Sequence, residues 1–380
     1  MTVSPTPRLA ASTRRGRSDR LVGRKRQRPL IAALRGVSQR PAKGSEATRK
    51  LTQAADHHGI VIALYRSYER GDLGSVEGAA LATLARRRRA SALRISVSAG
   101  EVSEWLRRAH VRHAVLKGPA VAVAYDDADR EFVDLDVLVA PAQMRDAIIV
   151  LEGHGARRLE EVRWPRPDGI GELTLGLPSG VALDLHADLV HHADVRRDFC
   201  LPVESLLDRA TTARIVDREV PVLDPEDTLI HVALHAVISG GDRLVWLADL
   251  DALVRLDQLS WPELLRRAHE ARTALVVAIM LDRAAMVLGT PVPLDVLRAL
   301  RRRGASWALL LRLFERWRPT AESYGRSFHG QVLVRATRDS TARSVSTLAR
   351  LVWTDVIRYV ISDRNHPWRS RLRARRRPDR

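Results

Sequence analysis

The sequence predicts an α+β protein in which a small mixed sheet is flanked by N-terminal helices and a C-terminal helical bundle. Three observations carry this: apolar residues recur at spacings of three and four up to about residue 112, short apolar runs and alternation occupy about 112 to 224, and helical spacing returns after Pro225. With 380 residues the chain can form roughly two domains and bury a sizeable core, so size alone demands neither disulfides nor a structural metal. Hydrophobic residues make up 45% and charged residues 28%, the composition of a folded chain. No apolar stretch reaches the ~18 to 20 residues that a membrane helix needs, so no membrane partner is expected. A single cysteine, Cys200, excludes an internal disulfide and a thiolate metal cluster; it fits a reducing cytoplasm, the expected location.

Taken in order, residues 1–50 are rich in Arg, Ser and Pro, and their one apolar island, Leu30 to Leu34, is too short for a secretion signal; a disordered basic tail is expected. Residues 51–111 form an N-terminal helical segment of two or three helices, with Ile60, Ile62, Leu64, Leu81, Leu84 and Leu93 at helical spacing. Residues 112–224 build the sheet from His113 to Leu116, Leu135 to Val139, Leu173 to Leu177, Val181 to Leu185 and Ala213 to Val222, with a helix from Ala142 to Leu151. A helical domain spans 225–365. Asp224 is placed to cap its first helix, with Pro225, Glu226 and Asp227 at the positive end of the helix dipole. Further helices are expected at about 243–256, 261–288, 294–317 and 342–361, and 366–380 is a basic C-terminal tail.

The net charge of +18 lies at the ends. Residues 1–50 hold 14 Lys and Arg against Asp19 and Glu46, residues 368–380 hold seven Arg against Asp379, and the 317 residues between balance at 42 basic and 42 acidic. The body shows no phosphate-backbone footprint, so nucleic acid is expected only through the basic tails.

The segment that carries chemistry is REFVDLDVLV, Arg130 to Val139. Alternation along a strand puts Asp134 and Asp136 on one face and Leu135 and Val137 on the other. Carboxylates this close repel, an arrangement that a divalent cation relieves, and Mg²⁺ prefers one or two carboxylates plus phosphate oxygens. A further strand brings Asp184 in LDLHADL, a third acid of the kind a two-metal phosphoryl-transfer site uses. Upstream, a strand ends in Leu116-Lys117-Gly118-Pro119. From Leu51 onward Lys117 is the only Lys among Arg cations, and its compact ammonium beside a glycine can approach a triphosphate where a guanidinium would not fit.

As an ordered set, LKGPAVAVAY, RxxxDLDVLV, LDLHADL, a helix with His231 and His235, and RLVWLADLDALV resemble an uncharacterised bacterial nucleotidyltransferase-like family of the polymerase-beta-type nucleotidyltransferase superfamily, over about residues 55 to 320. The resemblance implies that 112–224 is a catalytic domain that moves a nucleoside monophosphate from a triphosphate to a hydroxyl or phosphate. It implies Asp134, Asp136 and Asp184 as catalytic residues and ligands of two Mg²⁺ ions, with Asp184 near the attacking hydroxyl. Lys117, Gly118, Arg130 and Arg243 would bind the nucleotide, and the acceptor would be a small molecule or peptide. Two positions depart from the pattern: Pro119 removes a backbone donor at the phosphate turn, and Ala187 stands where an aromatic is common.

Rival assignments come from other residues. A non-catalytic binding or regulatory module would keep the fold without the reaction. His231 and His235, four apart on a helix with Asp249 and Asp251 on the next, have a spacing that could bind Zn²⁺ in a phosphohydrolase. His191, His192 and Asp194 read as surface loop residues, Arg87 to Arg89 as a solvated helix face, and Trp105, Trp246 and Trp353 as core anchors.

Overall fold

The computed structural model describes residues 29–37, 45–68, 76–125, 130–159, 171–320 and 328–364. The apolar runs between residues 113 and 222 pair into one seven-stranded sheet. Its strands are β1 (His113–Leu116), β2 (Leu135–Val139), β3 (Arg157–Arg158), β4 (Glu172–Gly176), β5 (Ala182–His186), β6 (Thr211–Ile215) and β7 (Arg218–Val222). The spatial order is β3-β4-β5-β2-β1-β7-β6. β2 runs parallel to β5 and β1 parallel to β7, whereas β1 and β2 are antiparallel, so the sheet is mixed.

Helices α1 (Pro29–Leu34), α2 (Ser45–His58), α3 (Val61–Tyr68) and α4 (Val76–Arg108) precede the sheet, and α5 (Lys117–Ala122), α6 (Met144–Gly153), α7 (Ala193–Arg196) and α8 (Val203–Asp208) interrupt it. After it come α9 (Pro225–Ile238), α10 (Leu244–Arg255), α11 (Trp261–Glu270), α12 (Ala274–Leu288), α13 (Leu294–Leu300), α14 (Ala305–Trp317), α15 (Phe328–Arg335) and α16 (Thr341–Arg364). No described helix is long and apolar enough to cross a membrane.

Alternation decides what each sheet face meets. Val115, Leu135, Val137, Val139, Leu183 and Leu185 pack beneath α4 and α6, against Ile95, Val102, Leu106, Ile148 and Leu151. On the other face Ala114, Leu116 and Leu138 pack against Val203, Leu206 and Leu207 of α8. The neighbouring positions on that face are Asp136, Thr174, Asp184 and His186, a polar area beside the apolar positions of the same face. A third core joins α9, α10 and α12 to the N-terminal helices, with Leu51, Val61 and Leu64 packed among Leu229, Leu247 and Leu275. At the start of α9, Asp224 accepts the Asp227 N–H at 2.9 Å with Pro225 in the first turn, the expected cap.

Several expectations are corrected. Pro29–Leu34 and the chain from Ser45 are helical within the tail expected to be disordered, because the short apolar island suffices to bury Leu30, Ala32 and Ala33. Residues 1–28 and 38–44 of that tail, and the closing Arg369 to Arg377 run, lie outside the described residues. The expected strand Ala213 to Val222 is the hairpin of β6 and β7, turning at Val216 with φ 57°. The helix expected over 261–288 breaks between α11 and α12 at Arg272, with φ 60°. The helix expected over 294–317 divides into α13 and α14 at Gly304, where an added Cβ would lie 2.2 Å from Leu275. Trp246 is buried, but Trp353 is 67% exposed and anchors no core.

Candidate active site

The site begins where β1 runs out. Lys117 takes a left-handed φ of 39°, an uncommon conformation for a residue with a Cβ, and its ammonium turns across the polar sheet face. Lys117 Nζ lies 2.8 Å from Asp136 Oδ1 and 3.4 Å from His235 Nδ1 of α9. Asp136 stands on β2, in register with Leu116 of β1 on one side and Asp184 of β5 on the other. The same Oδ1 pairs with His186 Nε2 at 2.8 Å, and the other His186 nitrogen faces Glu172 at 3.4 Å.

These contacts sort the acids. Burial pushes the Asp136 carboxyl up, but the Lys117 ammonium and the His186 ring outweigh it and hold the group well below the carboxylate range. Asp134 is raised, first by burial and then by the charge on Asp136. Asp184 is also raised: burial, Glu172 and Asp136 outweigh the hydrogen bond that the Thr174 hydroxyl donates to it at 2.7 Å. Lys117 is raised because its carboxylate neighbours, Asp136 foremost, overcome the burial that would lower it.

Opposite the acids, Arg130 donates from Nε and Nη2 to both carboxylate oxygens of Asp249 on α10, at 2.7 and 2.8 Å. The Tyr125 hydroxyl donates to the same carboxylate at 2.7 Å. Asp249 raises the Arg130 guanidinium despite burial. Arg243 differs from the other two cations. It donates from Nε to the His57 carbonyl at 2.8 Å, lies over the Trp246 ring, and has no ion-pair partner among the described residues. Burial, and then Arg130, lowers its pKa against the nearby charges of Asp242, Glu131 and Asp134, none of which forms an ion pair with it among the described residues. Gly59 allows its approach: with φ 68°, an added Cβ there would stand 3.1 Å from Arg243 Nη2.

One cavity of about 160 Å³ gathers these groups. Lys117, Gly118, Arg130, Asp134, Asp136 and Arg243 all line it, together with Glu131, Phe132, His235, Trp246 and Asp249. Asp184 is outside this lining, one strand away on the same sheet face. Sequence reasoning left His186 without a role, although it stands two residues from Asp184 and alternation places both on one face. It also passed over Glu131, whose buried carboxylate accepts the Ile62 N–H at 2.6 Å. Burial pushes that carboxyl up to about 7, against the effect of the Ile62 N–H and Arg88.

The zinc arrangement does not form. Asp249 is taken by Arg130, Asp251 by Thr290 at 2.7 Å and Arg255 at 2.9 Å, and the His231 and His235 rings are 6.4 Å apart. Burial and then Lys117 lower both histidines, His231 to about 3, so they are neutral groups packed beside an ammonium. Among the described residues no three His, Cys, Asp or Glu side chains form a preassembled metal cage, which covers His191, His192 and Asp194 as well as the three aspartates. The Asp134 and Asp136 pair nevertheless fits a cation that arrives with phosphate oxygens. Burial, and then the charge on Asp136, raises Asp134, and Mg²⁺ needs only one or two carboxylates when phosphates complete its shell.

A family model described as an uncharacterised nucleotidyltransferase matches residues 45–289, the span that holds the whole cavity. The chain belongs to this nucleotidyltransferase family. Its matched span ends just after α12, so α13 to α16 lie beyond it. Among solved structures, an antigenic nucleotidyltransferase-like protein from Paracoccidioides brasiliensis is 14% identical with a TM-score of 0.35, over 55% of this chain and 92% of that one. The antibiotic-resistance factor ANT(2'')-Ia is 13% identical with a TM-score of 0.28, over 57% of this chain and 94% of that one. No curated protein matches the chain.

Proposed function

We propose that the protein is a Mg²⁺-dependent nucleotidyltransferase that moves a nucleoside monophosphate from a nucleoside triphosphate to a hydroxyl or phosphate of a small-molecule or peptide acceptor. The observation that carries this is the cavity that Asp134, Asp136 and Arg243 line together, Arg243 being a half-buried guanidinium with no carboxylate in ion-pair contact among the described residues. A half-buried guanidinium that faces a cavity without an ion-pair partner can take an anion, and phosphoryl transfer relies on charges already in place. The cavity is smaller than the ~300 to 1,000 Å³ of typical small-molecule pockets, so it suits the phosphate end of a nucleotide rather than a whole one.

Two Mg²⁺ ions, held by Asp134, Asp136 and Asp184 with phosphate oxygens, would supply charge neutralisation at the phosphates and acidify the attacking hydroxyl. The chain's own groups do the rest. Arg243 orients the triphosphate, with Lys117 and the Gly118 turn at its β/γ end. Arg130, fixed by Asp249, holds the segment that leads into Asp134. The acceptor oxygen attacks the α-phosphorus, the bond to the β-phosphate oxygen breaks, and pyrophosphate leaves. Asp184, with its raised pKa, takes the hydroxyl proton.

The test is incubation with each of four α-labelled triphosphates, Mg²⁺ and a small-molecule and peptide extract. Labelled adduct and pyrophosphate should form with wild type and fall by about 100-fold or more in Asp136→Asn. Both Asn and Ala remove the counter-charge of Lys117 and His186, but Asn keeps the volume and an oxygen that can accept from them, so it costs less fold stability than Ala; an unchanged far-UV spectrum and cooperative unfolding show that the variant is folded. Nucleotide binding with no product from any triphosphate would instead favour the non-catalytic binding module.

A further inference from the structure

The C-terminal helices carry a surface that the transferase cavity does not use. On α14, Leu309, Leu313 and Trp317 follow one another at i, i+4 and i+8, and all three are exposed, Trp317 by 72%. On α16, which packs against α14, Val345, Val352 and Trp353 repeat at i, i+7 and i+8 and are likewise exposed. Apolar stripes at helical spacing ordinarily face a core; these face outward.

The C-terminal portion that carries the stripes is predominantly basic. Residues 296–380 hold 21 Arg against six Asp and Glu, whereas residues 51–295 hold 28 basic residues against 37 acidic ones. The balance of the central body therefore hides a division between an acidic transferase portion and a basic C-terminal portion. Arg316 is exposed beside the α14 stripe, and the Arg318 guanidinium lies 5.0 Å from the centre of the Trp317 ring. The family match stops at residue 289, so this surface is additional to the part shared with the family.

We propose that α14 and α16 dock on an anionic lipid surface, with the leucine, valine and tryptophan stripes entering the headgroup boundary and the arginines meeting lipid phosphates. Exposed aliphatics with tryptophan, bordered by cations, match the chemistry of a helix lying in a bilayer interface. Nucleic acid would satisfy the arginines but gain little from leucine and valine, which neither stack on bases nor contact phosphate. A second copy would bring two like-charged surfaces together. The absence of a spanning helix is compatible with this contact, because the chain lies on the bilayer rather than crossing it; the expectation of no membrane partner rested on spans alone.

The experiment is co-sedimentation of the full chain with vesicles of phosphatidylcholine alone or with about 30 mol% phosphatidylglycerol, across a salt series. The proposal expects at least about tenfold stronger partitioning to the anionic vesicles, weakened by salt. It also expects a further loss of about tenfold in the Leu313→Ser/Trp317→Ser variant, whose unfolding temperature should match wild type because both side chains are exposed. Absence of binding to either vesicle overturns it. So does anionic binding that the double variant leaves unchanged, which would assign the effect to the arginine tails. A single-stranded oligonucleotide bound in place of vesicles, or a dimer in sedimentation that the double variant dissolves, would assign the surface to nucleic acid or to a second copy.

Discussion

Glu131 sits at the rim of the cavity with its carboxylate against the first turn of α3, 6% exposed and accepting the Ile62 N–H. Because burial pushes its carboxyl from 4.5 up to about 7, the folded state keeps a proton that the unfolded chain has released between those values. Wild-type stability therefore falls as pH rises through that window, and levels off where both states are charged. Glu131→Gln can still accept the amide hydrogen and carries no charge, so it should gain on wild type by on the order of 2 to 3 kcal/mol from pH 4.5 to pH 7. Urea unfolding at both pH values checks this, and a stability difference that does not change with pH rejects it. Asp134 and Asp136 were legible in the sequence because strand alternation is local. The partner of Arg130 was not, since Asp249 lies 119 residues further along and only packing brings them together.

The helix that presents His235 to the cavity is α9, and its start was legible to the residue: Asp224 caps it and Pro225 opens it. Asp224→Ala should lower stability by about 1 to 2 kcal/mol through the lost cap. Removing the partner that holds Arg267 at 2.6 Å adds to this, although Asp227 and Glu263 still pair with that arginine. A shift in the denaturant midpoint with an unchanged slope is the expected outcome, and an unshifted midpoint would show that the cap contributes nothing. Other boundaries were hidden for a specific reason. The β6–β7 turn and the break between α11 and α12 are made at Val216 and Arg272, both with positive φ and neither a glycine. Sequence signals for a reversal rest on Gly, Asn and Asp, so a left-handed residue of another type leaves no trace.

At the scale of the molecule, the pair Arg130–Asp249 ties the segment before β2 to the helical bundle, and Tyr125 closes it from the end of the first crossover. Asp249→Ala leaves a buried guanidinium unpaired and should cost about 3 to 5 kcal/mol, while Arg130→Met in the same chain should recover part of that loss. A double-mutant cycle in urea reads the coupling, and additive losses would show that the pair does not join the two portions. The layered plan of helices, mixed sheet and helices was visible in the changing period of apolar residues. The joining of α1, α2 and α3 to the C-terminal core was not, because periodicity reports which face is buried and not against what. The account as a whole rests on Asp134 and Asp136 meeting a cation-bound triphosphate in one cleft. Calorimetry with triphosphate, in Mg²⁺ and again in chelator, on wild type and on Asp134→Asn tests it most directly, since Asp134 is half-buried and its removal leaves the Lys117 to Asp136 pair in place. Wild type should bind at least about tenfold more tightly with Mg²⁺, and the variant should lose that difference; a metal dependence that survives in Asp134→Asn would contradict the account.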